Sequence, residues 1–344
     1  MKNFKVVVTS PSFSKNPVLR QELLDNFPES EFNESGRDYA GEDLVKFLSG
    51  ADAAIIGLSR INDEILETCD SLKLISKYGV GLDNIDLEAC KRRGIPIGWT
   101  GGTNRLSVAE EALCFMIGLS RNIFATGVQL KQGKWNKNGG NQLSGKTVGI
   151  IGVGNVGKEL IRLLKPFNCT ILVNDIIDQS EYYLANNLIE VSKKALFAQS
   201  DIISLHTPLT SETRYMINSE SLGLMKDTAF LINTSRGEVV CEADLKDALI
   251  QKRIAGAALD VFEVEPPSDL EFLSLPNLFC TPHIGGNAVE GVTAMGLSAI
   301  EHLKRFFLTE EKSLEYEIEI INTSEEREKT PPPVREPVHK PAGI

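Results

Sequence analysis

Short apolar runs alternate with amphipathic stretches over the first hundred residues. The runs at 5–9, 53–58, 72–76 and 95–97 have the length of buried strands. Between them, residues 16–26, 63–69 and 86–93 carry helical patterns. Pro17 suits a first helical turn, and Gly94 closes the third helix. Strands alternating with helices predict a parallel α/β sheet covered on both faces. Gly101 and Gly102 end this part and read as a hinge. A long helix is then expected at 107–123, with Ser107 as its cap and Glu110 and Glu111 in its first turn. Its middle is apolar almost all round, which predicts burial between layers.

The pattern resumes at 146. The apolar run 148–151 leads into Gly152, Gly154 and Gly157, and further strands are expected at 170–174, 202–206, 229–233, 254–259 and 278–280. Helices such as 192–199 and 242–251 fall between them, which predicts a doubly wound sheet of six or more strands. A last long helix, 288–308, is expected to return to the first half. That organisation gives one domain from 1–102 plus 288–310 and a second, inserted domain from 103–287. In the remainder, 311–344, residues 314–320 alternate like an edge strand. The charged, proline-rich end (Pro331, Pro332, Pro333, Pro337, Pro341) predicts a largely disordered tail.

The glycines carry the first chemical signal. Gly152 allows a sharp turn out of the strand, Gly154 lets the backbone approach a pyrophosphate, and Gly157 lets the new helix pack on the strand. Phosphates then lie at a helix N-terminus, where free N–H groups and the helix dipole favour anions. Asp175 ends the next strand, 18 residues after Gly157, about where an acid binds a ribose 2′-hydroxyl. Together these features predict a dinucleotide site. Ile176 and Ile177, with no base beside Asp175, favour NAD over NADP.

Composition narrows the function classes. A net charge of −11 disfavours a nucleic-acid partner. No apolar run approaches the ~20 residues of a membrane span. The apolar start at residues 5–9 is too short for a signal peptide, so a cytoplasmic protein is expected. The six cysteines show no C-x-x-C spacing and read as buried free thiols of a cytosolic protein. The four histidines show no metal-ligand spacing, so no metal site is expected.

Four further stretches, with the glycine turn, resemble the D-isomer-specific 2-hydroxyacid dehydrogenases, the phosphoglycerate dehydrogenase-like family. They begin at Lys77-Tyr78-Gly79-Val80-Gly81, at Asn233-Thr234-Ser235-Arg236-Gly237, at Ala258-Leu259-Asp260, running on to Glu265-Pro266, and at Thr281-Pro282-His283. They occur in the family's order, and the resemblance covers residues 5–308. It implies a Rossmann domain inserted in a flavodoxin-like substrate domain, a cleft between the two, and a homodimer, with the 126–145 segment as one contact.

Reduction of a 2-keto acid needs a cation for the carboxylate and an acid for the carbonyl oxygen. Arg236, following a strand at the sheet's C-terminal edge, suits a carboxylate held in its planar fork. His283 is the natural proton donor near neutral pH. The resemblance pairs it with Glu265, giving Arg236, Glu265 and His283 as catalytic residues. It further implies substrate contacts from Tyr78, Gly79, Val80 and Gly81, besides Arg236 and His283. Beyond the glycines and Asp175, it places Asn155, Val156, Thr207, Pro208, Thr234, Ser235, Arg236, Asp260, His283 and Gly285 at the cofactor. His206 reads either as a cofactor contact or as a structural hydrogen bond. Lys15, Arg60 and Lys77 read either as a second anion site, for a phosphorylated substrate, or as surface.

The expected activity is NAD-dependent interconversion of a D-2-hydroxy acid and its 2-keto acid, such as 3-phosphoglycerate or glycerate/hydroxypyruvate. Two alternatives keep the same three residues: an NAD-gated protein-binding module of corepressor type, and a phosphite dehydrogenase. Formate dehydrogenases have glutamine where this chain has Glu265.

Overall fold

The computed structural model describes residues 4–308. Two all-parallel sheets form from the apolar runs. The first holds β1 (Val6–Val8), β2 (Glu31–Phe32), β3 (Ala53–Ile56), β4 (Leu74–Lys77) and β5 (Ile97–Gly98), in the order β2-β1-β3-β4-β5. The second holds β6 (Thr147–Ile151), β7 (Thr170–Asn174), β8 (Ile189–Glu190), β9 (Ile202–Leu205), β10 (Phe230–Asn233), β11 (Gly256–Leu259) and β12 (Leu278–Cys280). Its order is β12-β11-β10-β9-β6-β7-β8. The first order is flavodoxin-like and the second doubly wound with one added edge strand. β1, β3, β4, β9 and β11 are buried at every position, as continuous rather than alternating apolar runs require when helices cover both faces.

The final helix, Val289–Leu308, packs on the first sheet. Met295, Ala299, Ile300 and Leu303 join Val6, Val8, Ile55 and Leu74 in one core. Ser76 Oγ of β4 donates to Ala299 O at 2.7 Å, a contact between residues 223 positions apart. The chain therefore crosses to the second sheet and comes back. The expected strand at 314–320 and the tail lie outside the described residues.

The long helix departs from expectation. It runs Arg105–Ser120, and its cap residue, Asn104, makes no side-chain capping bond. Ser107 sits inside it, and no acid lies in its first turn. Asn122 takes φ +53, so the chain turns there into a second helix, Ile123–Lys131, at 68° to the first. The first helix buries Ala109, Ala112, Phe115 and Met116 against Val148 and Ile150 of β6. The second is held by half-buried Phe124, stacked on Phe279 at 3.7 Å, while Ile123, Val128 and Leu130, and Trp135 beyond it, are exposed. The helix Gly41–Leu48 and the two-residue strands β2 and β8 were not predicted, because β2 and β8 are too short to show a period.

Candidate active site

The C-terminal ends of both sheets face one cleft of about 3230 Å³. In open α/β sheets the crevice forms where strand order reverses, here between β1 and β3 and between β6 and β9.

On the second sheet, β6 runs directly into Gly152. Its φ is +92, and a Cβ there would collide with the His206 carbonyl, so glycine is required. The helix Asn155–Leu164 follows, with no side-chain cap at Gly154. Its first N–H groups are thus available to an anion. Gly154, Asn155 and Val156 line the cleft. Gly157 does not: it packs against Gly152, and so serves the turn rather than touching a ligand. Asp175, past the end of β7, lines the cleft and accepts from Val153 N at 2.6 Å and Ile177 N at 2.9 Å.

Thr207, Pro208, Thr234 and Ser235 also line this half. The hydroxyls of Thr207 and Thr234 are buried without a hydrogen-bond partner. Two orphaned donors beside an uncapped helix N-terminus and a glycine cradle fit a polar dinucleotide. His206 donates to or accepts from Ser204 Oγ at 3.0 Å, and burial pushes its pKa down to about 4, so it is a neutral ring. Asp260 is 1% exposed. Its carboxylate holds the turn that carries His283, accepting from Thr281 Oγ1, Ile284 N and Gly285 N at 2.6–2.8 Å.

Arg236 is presented by a turn built on Asn233, which is fully buried at the end of β10. Asn233 Oδ1 accepts from Ser235 N and Ser235 Oγ, and its Nδ2 donates to Arg236 O at 2.8 Å. The guanidinium crosses the cleft. Its Nη2 lies 2.7 Å from Asp83 Oδ2, and Nη1 donates to Ser235 O. His283 takes φ +54, and its Nδ1 lies 2.7 Å from Glu265 Oε2. Phe262 N donates to the other oxygen of Glu265 at 3.1 Å. The hydrogen bond to Glu265 raises the His283 pKa against the pull of burial. Burial pulls Glu265 upward in turn, and its contact with His283 more than offsets that. With Nδ1–H given to Glu265, Nε2 is left for the cleft.

The first sheet supplies the opposite wall. Gly79, Val80 and Gly81 follow β4 and line the cleft. Trp99 Nε1 donates to Val80 O at 2.8 Å, which fixes the loop. A Cβ on Gly81 would overlap Arg236 Nη2, so only glycine lets the two walls meet here. Tyr78 lines the cleft with its hydroxyl 3.2 Å from Ser12 Oγ and its ring edge-on to Phe13. Lys77 is 5% exposed and donates to Gly57 O at 2.6 Å and Asn84 Oδ1 at 2.7 Å. Burial pushes its pKa down to about 8, opposed by Asp83. Lys15 and Arg60 do not line the cleft.

The sequence assigns no site role to Asp83, Asn84 or Ser12, and reads Glu111 only as an acid of a first helical turn. Asp83 and Asn84 lie two and three residues after Gly81, and that position was the only available signal. Ser12 and Glu111 reach the site through packing alone.

Residues 113–285 match the family described as D-isomer specific 2-hydroxyacid dehydrogenase, NAD binding domain. The chain is 38% identical to a hydroxypyruvate reductase of Thermotoga maritima over 76% of this chain and 87% of that one. It is 33% identical to a D-3-phosphoglycerate dehydrogenase of Methanocaldococcus jannaschii over 88% of this chain, and it spans little more than half of that relative (57%). Among solved structures, D-lactate dehydrogenase from Aquifex aeolicus, complexed with NAD and lactic acid, superimposes with a TM-score of 0.76. Its identity is 26%, over 88% of this chain and 95% of that one.

Proposed function

The chain belongs to the D-isomer-specific 2-hydroxyacid dehydrogenases, an NAD-dependent oxidoreductase family, and on that premise we propose that it reduces an unphosphorylated three-carbon 2-keto acid of the hydroxypyruvate type. The observation that carries this reading is the convergence of Arg236, the His283–Glu265 pair and the Gly79–Gly81 loop on one cleft. NADH, when bound, supplies the hydride. Arg236 and the N–H groups of Val80 and Gly81 hold the substrate carboxylate. His283 Nε2 donates a proton to the carbonyl oxygen, and Glu265 stabilises the imidazolium through Nδ1–H. Asp175 faces the ribose, which supports NAD over NADP.

The unphosphorylated choice rests on charge. A phosphate needs free cations, and of the three candidates only Lys77 lines the cleft; Arg37 and Arg305 line it too, but Arg37 is paired with Asp43 at 2.7 Å and Arg305 with Glu301 at 3.1 Å. The Lys77 ammonium is committed to Gly57 and Asn84, and Asp38 and Asp83 act on it. The paired hydroxyls of Ser12 and Tyr78 suit a hydroxyl-bearing carbon instead. The enzyme works as a cytoplasmic homodimer, joined through the exposed apolar side chains of Ile123, Val128, Leu130 and Trp135.

NADH oxidation against 3-phosphohydroxypyruvate, hydroxypyruvate, glyoxylate, pyruvate and a branched 2-keto acid tests the substrate. The highest kcat/KM is expected for hydroxypyruvate. Preference for the phosphorylated acid would refute the charge argument.

A further inference from the structure

Ser107 and Glu111 lie one turn apart on one face of the Arg105–Ser120 helix. Both grip the turn that carries His283. Ser107 Oγ donates to Gly285 O at 2.5 Å. Glu111 meets the other side of the turn, at Thr281 and Asp260. Thr281 Oγ1 lies 2.6 Å from Asp260 Oδ1 and 3.2 Å from Glu111 Oε1. One hydroxyl proton cannot serve two ionised carboxylates, and the shorter contact takes it. Glu111 Oε2 is buried with no partner. A Cβ on Gly285 would fall 2.5 Å from Glu111 Oε2 and 3.0 Å from Asp260 Oδ2, so the two carboxylates converge on the space glycine leaves. As two anions they would lack a hydrogen and repel each other in a buried place.

We propose that Glu111 is carried as a neutral acid sharing its proton with Asp260, and that it is the positioning residue through which this helix holds the His283 turn. Asp260 then accepts from Ile284 N and Gly285 N without a second negative charge beside it, and His283 keeps its φ of +54.

Burial, then the charge of Asp260, pushes the Glu111 pKa up to about 7, against Thr281 and His283. The other charged groups on surrounding elements are engaged elsewhere or exposed. Glu159 pairs with Arg105, Arg236 pairs with Asp83, and Glu290 faces solvent. Glu111 therefore loses its proton near neutrality. Ionisation above that point drives Asp260 and Glu111 apart and loosens the turn.

The inference rests on His283 as the proton donor, so its test includes a readout independent of turnover. Infrared difference spectra of the full chain, titrated between about pH 5 and about pH 9, record the C=O stretch of protonated carboxyl groups. A band lost near neutral pH in the native chain and missing from Glu111→Gln is expected. Without such a band the shared proton is refuted, whatever the turnover. In kinetics, Glu111→Leu should lower kcat on the order of tenfold to a hundredfold with NADH affinity unchanged. Glu111→Gln, which keeps a donor toward Asp260, should restore most of that loss. A Gln variant as impaired as the Leu variant would overturn the positioning role.

Discussion

Arg236 of the second sheet is ion-paired with Asp83 of the first, Nε at 2.8 Å and Nη2 at 2.7 Å from the same carboxylate oxygen. The guanidinium proposed to hold the substrate carboxylate is thus oriented by a residue from the opposite wall. Ser235 O holds its remaining nitrogen from behind. The fork is aimed before any substrate arrives, and the pair also ties the two walls together. Because the side chain of Asp83 is 53% exposed, solvent screens the pair, and its role is orientation more than stability.

Asp83→Asn keeps an acceptor near Arg236 and removes the charge. Steady-state kinetics should show kcat/KM lower by about tenfold, with the loss mostly in KM for the keto acid. A gain in kcat/KM would mean that Asp83 competes with the substrate carboxylate instead of aiming its partner.

Arg236→Ala should abolish measurable turnover and leave NADH binding, followed by fluorescence titration, nearly intact. The residue faces the substrate half of the cleft, and the glycine turn is untouched. If a folded Arg236→Ala protein no longer bound NADH, the assignment to the substrate carboxylate would fail.

His283→Ala should lower kcat by roughly 10²–10⁴-fold, the range for a lost general acid. The pH profile follows from Glu265. With His283 as the proposed acid of keto-acid reduction, the rate is expected to be full below the His283 pKa and to fall as pH rises through it. Glu265 raises that pKa, so the fall lies above the ordinary histidine value. Glu265→Gln should move the fall to lower pH. An unmoved profile would place the titrating acid elsewhere.

Asp175→Ala should weaken NADH and relax discrimination against NADPH, since the carboxylate at the end of β7 repels a 2′-phosphate. Its removal also frees Val153 N, so a small loss of stability is expected beside the change in preference. The ratio of kcat/KM for the two cofactors is the measurement, and an unchanged ratio would show that Asp175 does not face the ribose.

Much of this was legible because the signals are local. Continuous apolar runs mark strands covered on both faces. Gly152 is needed by the φ of its own backbone, and Asn233 builds the turn that presents Arg236 from within four residues. Such features depend on neighbours in the chain, which a sequence displays directly. Helix bounds were less legible. Ser107 has the chemistry of a cap, yet its hydroxyl is taken by Gly285 O, 178 positions away, and the helix starts earlier without it.

Sequence by itself determined the two parallel α/β halves, the glycine turn, and which residue types could perform hydride-coupled proton transfer. Tertiary structure alone decided who partners whom. It set Asp83 against Arg236, enclosed Lys77 between Gly57 and Asn84, and pressed Glu111 on Asp260. Each of those choices is a matter of distance, desolvation and charge between side chains that only folding brings together, 153 positions apart for Asp83 and Arg236.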